Sequence, residues 1–354
     1  MLAFINSDAF SIRSGVAKTE YWRYFADQLR VDVSASSAQV AGRSGFYVPQ
    51  PASAFTRLTR KLARGVRQPS HVARWISREI ARKFEVPRLM SYENAFDAVM
   101  GNADVSMPVM SAFALDHRKL AQLPNVFANA ASLTRHYESW SGNKASANII
   151  GHYYYQNILR GSIGASQIRT VLEIGAGNGN FPSILYHDWQ PVRLVLIDLP
   201  ETLAVSIPYL SSQFPSARIA MPNEIQAGGL PGEFDFAFLT VDQLQLLADD
   251  SIDLAINCHS FQEMTHAQIG IYFELIQRVC RDSGFFFTAN RVEKIPSGAD
   301  AFSVEQPDPP NRMAEYPWNS DNSVLIYEIS RLSRLVQLDS LAIRLERIHK
   351  RPQR

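Results

Sequence analysis

The sequence predicts an α/β protein: a mostly parallel sheet with helices on both faces, an antiparallel hairpin at its C-terminal end, and a mainly helical region in front. Three observations carry this. From Arg169 onward, short apolar runs alternate with helical patterns, which favours a parallel sheet covered on both faces. The first run, Thr170 to Ile174, breaks into Gly175-Ala176-Gly177-Asn178-Gly179-Asn180, a strand-to-helix turn. The last two runs, at 324–329 and 342–348, are an adjacent pair at the end of the chain, which fits an antiparallel edge hairpin. Residues 1–150 are expected to form the helical region, serving ligand binding, a lid or oligomerisation, and residues 151–354 the sheet domain.

The elements follow in order. The Gly/Ser/Pro-rich stretch 34–54 reads as loop. Residues 55–84 read as two amphipathic helices. Phe55, Leu58, Leu62 and Val66 form one apolar stripe, Val72, Ile76, Ile80 and Phe84 another, and nine basic residues from Arg57 to Lys83 cover the opposite faces. Helices and loops continue through 91–160. Strands are expected at 170–174, 192–197, 234–239 and 252–257, with a helix starting near Pro182, where a missing N–H costs nothing. Thr265 and Gln268 form a capping box for a helix reaching Arg281, with Gly284 as its C-terminal cap. Phe285, Phe286 and Phe287 open the next strand.

Composition narrows the function classes. The chain has 354 residues, 46% hydrophobic and 19% charged, which excludes a disordered chain, a collagen and a coiled-coil rod. The net charge of +1 argues against a nucleic-acid binder. It is nevertheless a cancellation: residues 1–90 carry +9, residues 91–330 carry −13 and residues 331–354 carry +5. Two cysteines, Cys258 and Cys280, exclude a disulfide framework and suit a reducing compartment. No run of about 20 apolar residues is present, and the start does not read as a signal peptide. The expectation is a cytoplasmic protein with no transmembrane segment, whose basic helices can touch a membrane surface.

The glycine turn lies where ligands bind in an open α/β sheet, at the carboxyl end of a strand. The second strand ends in Asp198, 23 residues after Gly175, where a carboxylate can accept both hydroxyls of a ribose. Dinucleotide sites read G-x-G-x-x-G; this turn reads G-x-G-x-G and is preceded by Glu173. A carboxylate there repels a pyrophosphate but suits a sulfonium and an amino group, which points to S-adenosylmethionine. A nicotinamide oxidoreductase and a binding protein without turnover stand as the other readings.

LEIGAGNGNF at 172–181 and LIDLPETL at 196–203 resemble the first motif and the acidic second strand of class I methyltransferases. IDLAINCHSFQEM at 252–264, GFFFTANR at 284–291 and EYPW at 315–318 resemble, more narrowly, a bacterial family of sugar O-methyltransferases. The resemblance covers about residues 145–350. It implies a Rossmann-like sheet and methyl transfer from S-adenosylmethionine to a sugar hydroxyl of a glycan, glycolipid or glycosylated metabolite. Other small molecules or peptides are the alternative acceptors. It also implies that the corner at Asp242 and Gln243 meets the adenine.

The expected cofactor contacts are therefore Glu173, Gly175, Ala176, Gly177, Asn178, Gly179, Asp198, Leu199, Asp242, Gln243 and Asn257. An alcohol needs a base to become a nucleophile. Candidates follow the strand ending at Asn257. Glu263 matches the family motif and serves as a base, orients one, or only favours the next helix N-terminus. His259 is a base by its intrinsic pKa of about 6.5, or a spacer; His266 reads as surface. His152, Tyr316 and Trp318 are candidate acceptor contacts, the aromatics by stacking on a sugar ring or, alternatively, by plugging their loop onto the core. No paired-carboxylate motif assigns a metal. The acceptor is expected to be a small molecule or glycan bearing anionic groups that meet the basic head. A homodimer is compatible with this reading.

Overall fold

The computed structural model describes residues 30–33, 38–41, 130–143, 147–225, 229–294, 310–329 and 341–350. The basic segment 55–84 lies outside the described residues. The chain divides into two units, one of residues 1–48, 162–329 and 341–354, the other of residues 49–161 and 330–340. In the second unit, α1 (Ala130–Ser141) and α2 (Ala147–Ile163) bury Tyr137, Ile149, Tyr153 and Tyr155, and the Trp140 indole donates to the Tyr153 hydroxyl at 3.2 Å.

In the first unit, β1 (Arg30–Val33) and β2 (Ala38–Ala41) form an antiparallel hairpin. The second of these strands falls inside the expected loop 34–54. Its Val40 pairs Val31 across the ladder, a β-branched pair that favours strand over coil.

The rest of this unit is built on an eight-stranded sheet. Its strands are β3 (Thr170–Ile174), β4 (Arg193–Asp198), β5 (Ile219–Ala220), β6 (Phe236–Thr240), β7 (Ile252–Cys258), β8 (Cys280–Arg291), β11 (Ser323–Ile329) and β12 (Leu341–Arg347). The order is β11-β12-β8-β7-β3-β4-β6-β5. Every pairing from β5 to β8 is parallel; β12 runs antiparallel to β8, and β11 antiparallel to β12. Strands β9 (Glu293–Lys294) and β10 (Asn311–Arg312) form a separate short pair. Three helices follow the parallel strands: α3 (Asn180–Asp188), α4 (Pro200–Gln213) and α5 (His266–Val279). Strands β3, β6 and β7 are buried at every position, which is why they read as continuous apolar runs rather than alternating ones. This is the Rossmann-like sheet with a C-terminal antiparallel hairpin that the sequence predicts.

Strand β3 has β4 on one side and β7 on the other, so the direction of winding reverses beside it. The crevice opens at the carboxyl ends of these strands. At the opposite end Asp253 holds β3 and β7 together. Its Oδ2 accepts the backbone N–H groups of Arg169 (2.9 Å) and Thr170 (2.8 Å), and its Oδ1 accepts from Arg281 at 2.6 Å.

Helix α5 has the expected capping box, with the Thr265 hydroxyl accepting from the Gln268 N–H. Its end differs from expectation. Cys280 both caps the helix and starts β8, so Gly284 is a strand residue and not the helix cap. The β7–β8 register jumps from Ile252↔Cys280 to Leu254↔Phe285, which leaves residues 281–284 as a bulge with Ser283 at φ 64°. A Cβ on Gly284 would sit 2.9 Å from the Arg281 carbonyl oxygen, so glycine is required there by close approach. Both cysteines are buried free thiols. Among the described residues, no helix is long and apolar enough to cross a membrane.

Replacing Asp253 by Ala strands two backbone donors and frees Arg281. Urea unfolding should show a loss of about 2–3 kcal/mol. A loss below about 0.5 kcal/mol would show that the clasp is not what holds β3 to β7.

Candidate active site

The glycine turn is shaped by two different needs. Gly175, at φ 73°, donates to the Ile197 carbonyl at 2.8 Å. A Cβ on it would lie 2.1 Å from the Ser260 hydroxyl oxygen, so only glycine lets that serine approach. Gly177 sits at φ 58° with nothing within 4 Å of the place a Cβ would occupy. It is open where a ligand could touch the main chain. The Gly179 N–H donates to Ala176 (3.0 Å), and the Asn178 side-chain oxygen accepts from the Asn180 N–H (3.3 Å), which starts α3.

Asp198 ties this turn to the end of β4. Its Oδ2 accepts from the Gly177 N–H at 2.8 Å and its Oδ1 from the Leu199 N–H at 2.7 Å. Burial pushes its pKa up to about 7, against the opposing pull of these hydrogen bonds. Glu173 lies two residues before Gly175 on β3 and is 3% exposed. Its Oε2 has no hydrogen-bond partner. Burial first, and the charge of Asp198 second, raise its pKa well above the ordinary carboxylate range. Buried acceptors are normally paired, so this oxygen is positioned for a donor that a ligand would bring.

The other wall is a buried polar network. The Asn257 amide donates to the Ile174 carbonyl (3.0 Å) and to the Ser260 hydroxyl, while its oxygen accepts from Asn290 (2.8 Å) and the Phe261 N–H (3.3 Å). Asn257 is therefore a framework residue whose side-chain hydrogen bonds are filled within the protein. Gln243 is engaged in the same way. Its oxygen caps the turn 241–246 through the Thr240 N–H (3.1 Å), and its amide donates to Pro222 (2.7 Å) and Ile225 (3.3 Å). Asp242 is exposed on that turn, at the carboxyl end of β6.

Sequence reasoning missed most of this network. Asn290 also donates to Thr288 (2.7 Å) and accepts from the Gln262 N–H (3.2 Å), and Gln262 accepts from the Arg291 N–H (2.8 Å). The signal available was a run of polar residues at strand ends otherwise flanked by apolar ones.

Glu263 closes the short 3-10 turn Phe261–Glu263, and its carboxylate lies 4.0 Å from the ammonium of Lys294, which is almost buried. His259 adopts φ 64° and is exposed. Loss of hydration to the surrounding protein atoms first, then the Arg291 guanidinium, lowers its pKa to about 4. A lowered pKa keeps the ring neutral at pH 7, the form in which an imidazole can accept a proton. His266 is exposed and 3.5 Å from Glu315.

Two expected acceptor contacts face inward. Tyr316 is 3% exposed, its hydroxyl donates to Asn311 at 2.8 Å, and its ring packs on Phe261 and Phe273. The Trp318 indole donates to the Met313 carbonyl at 3.0 Å, with the Arg344 guanidinium 4.1 Å over its ring. Both plug their loop onto the core instead of offering a stacking face. His152 lies on α2, in the other unit.

No protein-family model matches the sequence, and no curated protein matches it. Among solved structures, the chain is similar to a proposed sarcosine dimethylglycine methyltransferase from Galdieria sulphuraria, at 10% identity over 57% of this chain and 87% of that one, with a TM-score of 0.41. It is similar to the N-methyltransferase NodS from Bradyrhizobium japonicum WM9, at 13% identity over 56% and 97%, TM-score 0.36. A third is the PH0226 protein from Pyrococcus horikoshii OT3, at 13% identity over 60% and 98%, TM-score 0.38. At such scores the weight of the fold assignment falls on strand order and site geometry.

The raised pKa of Glu173 has a definite sign. The folded protein binds this proton more tightly than the unfolded chain, so its contribution to stability is lost as pH rises above about 4.5. Glu173→Gln removes that loss. The variant should unfold roughly 2–4 °C above wild type at pH 8, with a smaller gap at pH 5, measured by thermal denaturation. An equal gap at both values would contradict the assignment.

Proposed function

We propose that the protein is an S-adenosylmethionine-dependent O-methyltransferase whose acceptor is a sugar hydroxyl in a glycan, glycolipid or glycosylated metabolite. The observation that carries the cofactor reading is the unpartnered buried oxygen of Glu173 beside an open glycine turn, with Asp198 across it. A pyrophosphate would be repelled by this pair; an ammonium and a ribose suit it. When bound, S-adenosylmethionine supplies a methyl group activated by its sulfonium.

The chain's own residues then have separate tasks. Glu173 accepts the amino group, and the second lone pairs of the Asp198 oxygens accept ribose hydroxyls. The open backbone at Gly177 lets the ligand approach, Gly175 and Gly179 shape the turn around it, and Ala176, Asn178, Leu199 and Asp242 border it. Glu263 takes the proton from the acceptor hydroxyl, held in place by its turn and by Lys294. His259, neutral at pH 7, accepts a hydrogen bond from the acceptor and is the second candidate for its proton. What supports a sugar is the resemblance of residues 252–264 and 284–291; the inward-facing Tyr316 and Trp318 add nothing to it. The two free thiols suit a cytoplasmic setting.

Calorimetry with S-adenosylmethionine should show binding that Glu173→Ala and Asp198→Ala each weaken at least about tenfold, the equivalent of one lost charge-assisted hydrogen bond. Absence of binding at millimolar cofactor would overturn the reading. Transfer of an isotope-labelled methyl group to a panel of glycans and amino sugars separates oxygen from nitrogen acceptors. On the best acceptor, Glu263→Gln should lower kcat by about 10²–10⁴ and leave cofactor affinity unchanged.

The basic residues of 55–84 are proposed to meet anionic groups of the acceptor. Reversing Arg74, Arg78 and Arg82 to Glu should raise the KM for the acceptor without changing cofactor affinity. Equal effects on both, or on neither, would refute that role.

A further inference from the structure

Helix α5 carries a glycine at its centre that no packing explains. Gly270 is partly exposed, and a Cβ built on it meets nothing within 4 Å. Glycine is among the poorest helix formers, so alanine would be better here if helix stability alone decided. The missing side chain opens a cavity of about 340 Å³, lined among the described residues by one face of α5, the loop 317–322, Phe286 and Glu346. The α5 residues facing it, Gly270, Phe273, Glu274 and Gln277, follow the spacing of a single helix face. The volume is within the range of small-molecule sites, about 300–1,000 Å³.

The lining has a consistent chemistry. Phe273 and Phe286 supply an aromatic wall, their rings 5.5 Å apart and edge to face. Glu346 is 1% exposed; it accepts from Arg344 (Nε, 2.7 Å) and from the Asn322 amide (3.1 Å). Glu274, by contrast, stands at the exposed edge with no ion-pair partner among the described residues. No described lining residue is basic.

We propose that this groove binds a small organic cation with a flat apolar body, an aromatic ammonium. Its ring would stack against Phe273 in the space left by Gly270, and its ammonium would meet Glu274, with the amides of Gln277 and Asn322 as further polar contacts. Glu346 is already paired with Arg344, so the exposed Glu274 alone sets the groove's preference for a cation over a carboxylate of the same shape. The site is separate from the glycine turn, and its occupancy does not depend on methyl transfer.

Titration calorimetry on the full chain, without cofactor, tests it, with tryptamine as the cation and 3-indolepropionate as its anionic counterpart. Tryptamine should bind with a dissociation constant of about 1 mM or tighter, and the anion at least about tenfold more weakly. Gly270→Leu fills the groove and improves helix propensity, so it should keep or raise the unfolding temperature while weakening tryptamine at least about tenfold. Glu274→Gln should weaken tryptamine and narrow its preference over the anion. No saturation by about 10 mM tryptamine, equal binding of the two indoles, or unchanged binding by Gly270→Leu would each overturn the proposal.

Discussion

The candidate site depends on one contact, the seating of Ser260 against Gly175. The Ser260 hydroxyl donates to the carbonyl of Ile174 at 3.1 Å, and the Asn257 amide donates to the same oxygen at 3.0 Å. Together they pin the end of β3 to the end of β7 at the place where the sheet changes winding direction. The approach exists only because residue 175 has no Cβ. From that point the two walls of the crevice are determined. On one side the chain turns through Gly177 and is caught by Asp198. On the other it turns through Phe261 to Glu263, with Asn290 and Gln262 holding it to β8. A larger residue at 175 would displace both walls at once.

The electrostatics of the crevice oppose stability. Two carboxylates, Glu173 and Asp198, are buried near each other, and burial raises the pKa of both. A protein selected for stability alone would place neutral or paired groups there. Asp198 is compensated by two backbone N–H groups, whereas one oxygen of Glu173 is not. Groups with perturbed pKa values gather where ligands bind or chemistry occurs. A cationic donor entering the crevice would relieve the repulsion between the two acids, so the unliganded protein holds in place a cost that binding removes. That is the physical content of calling the site preorganised.

How much of this was legible in the sequence follows from the range of each interaction. The parallel core was legible because strands buried on both faces are written as unbroken apolar runs, as in Thr170 to Ile174 and Ile252 to Cys258. The capping box at Thr265 and Gln268 was legible because both partners lie within one turn. The roles of Asn257 and Gln243 were not, because their partners lie far along the chain: Asn257 reaches Ile174 and Asn290, and Gln243 reaches Pro222. A polar residue at a strand end looks the same in sequence whether it faces a ligand or a neighbouring turn. The bulge at 281–284 was missed because Gly284 satisfies the pattern of a helix cap, and only the register of β8 against β7 shows its place. The shifted pKa of His259 was equally out of reach, since it depends on lost hydration and on Arg291.

The inward turn of Tyr316 and Trp318 changes what the loop 313–322 does for the site. The Tyr316 hydroxyl donates a hydrogen bond to the Asn311 oxygen, and the Asn311 amide donates to the carbonyls of Phe261 (3.0 Å) and Met264 (2.9 Å). Those two carbonyls bracket Glu263. The ring of Phe261 in turn packs on Tyr316 and Phe273. The aromatic cluster therefore fixes the backbone on either side of the candidate base, and β10 carries Asn311 next to Lys294 on β9. A base that must meet a hydroxyl within hydrogen-bond reach tolerates little backbone motion. The EYPW segment that looked like a sugar platform contributes instead by holding Glu263 still, which explains how a motif can accompany a site without touching the acceptor.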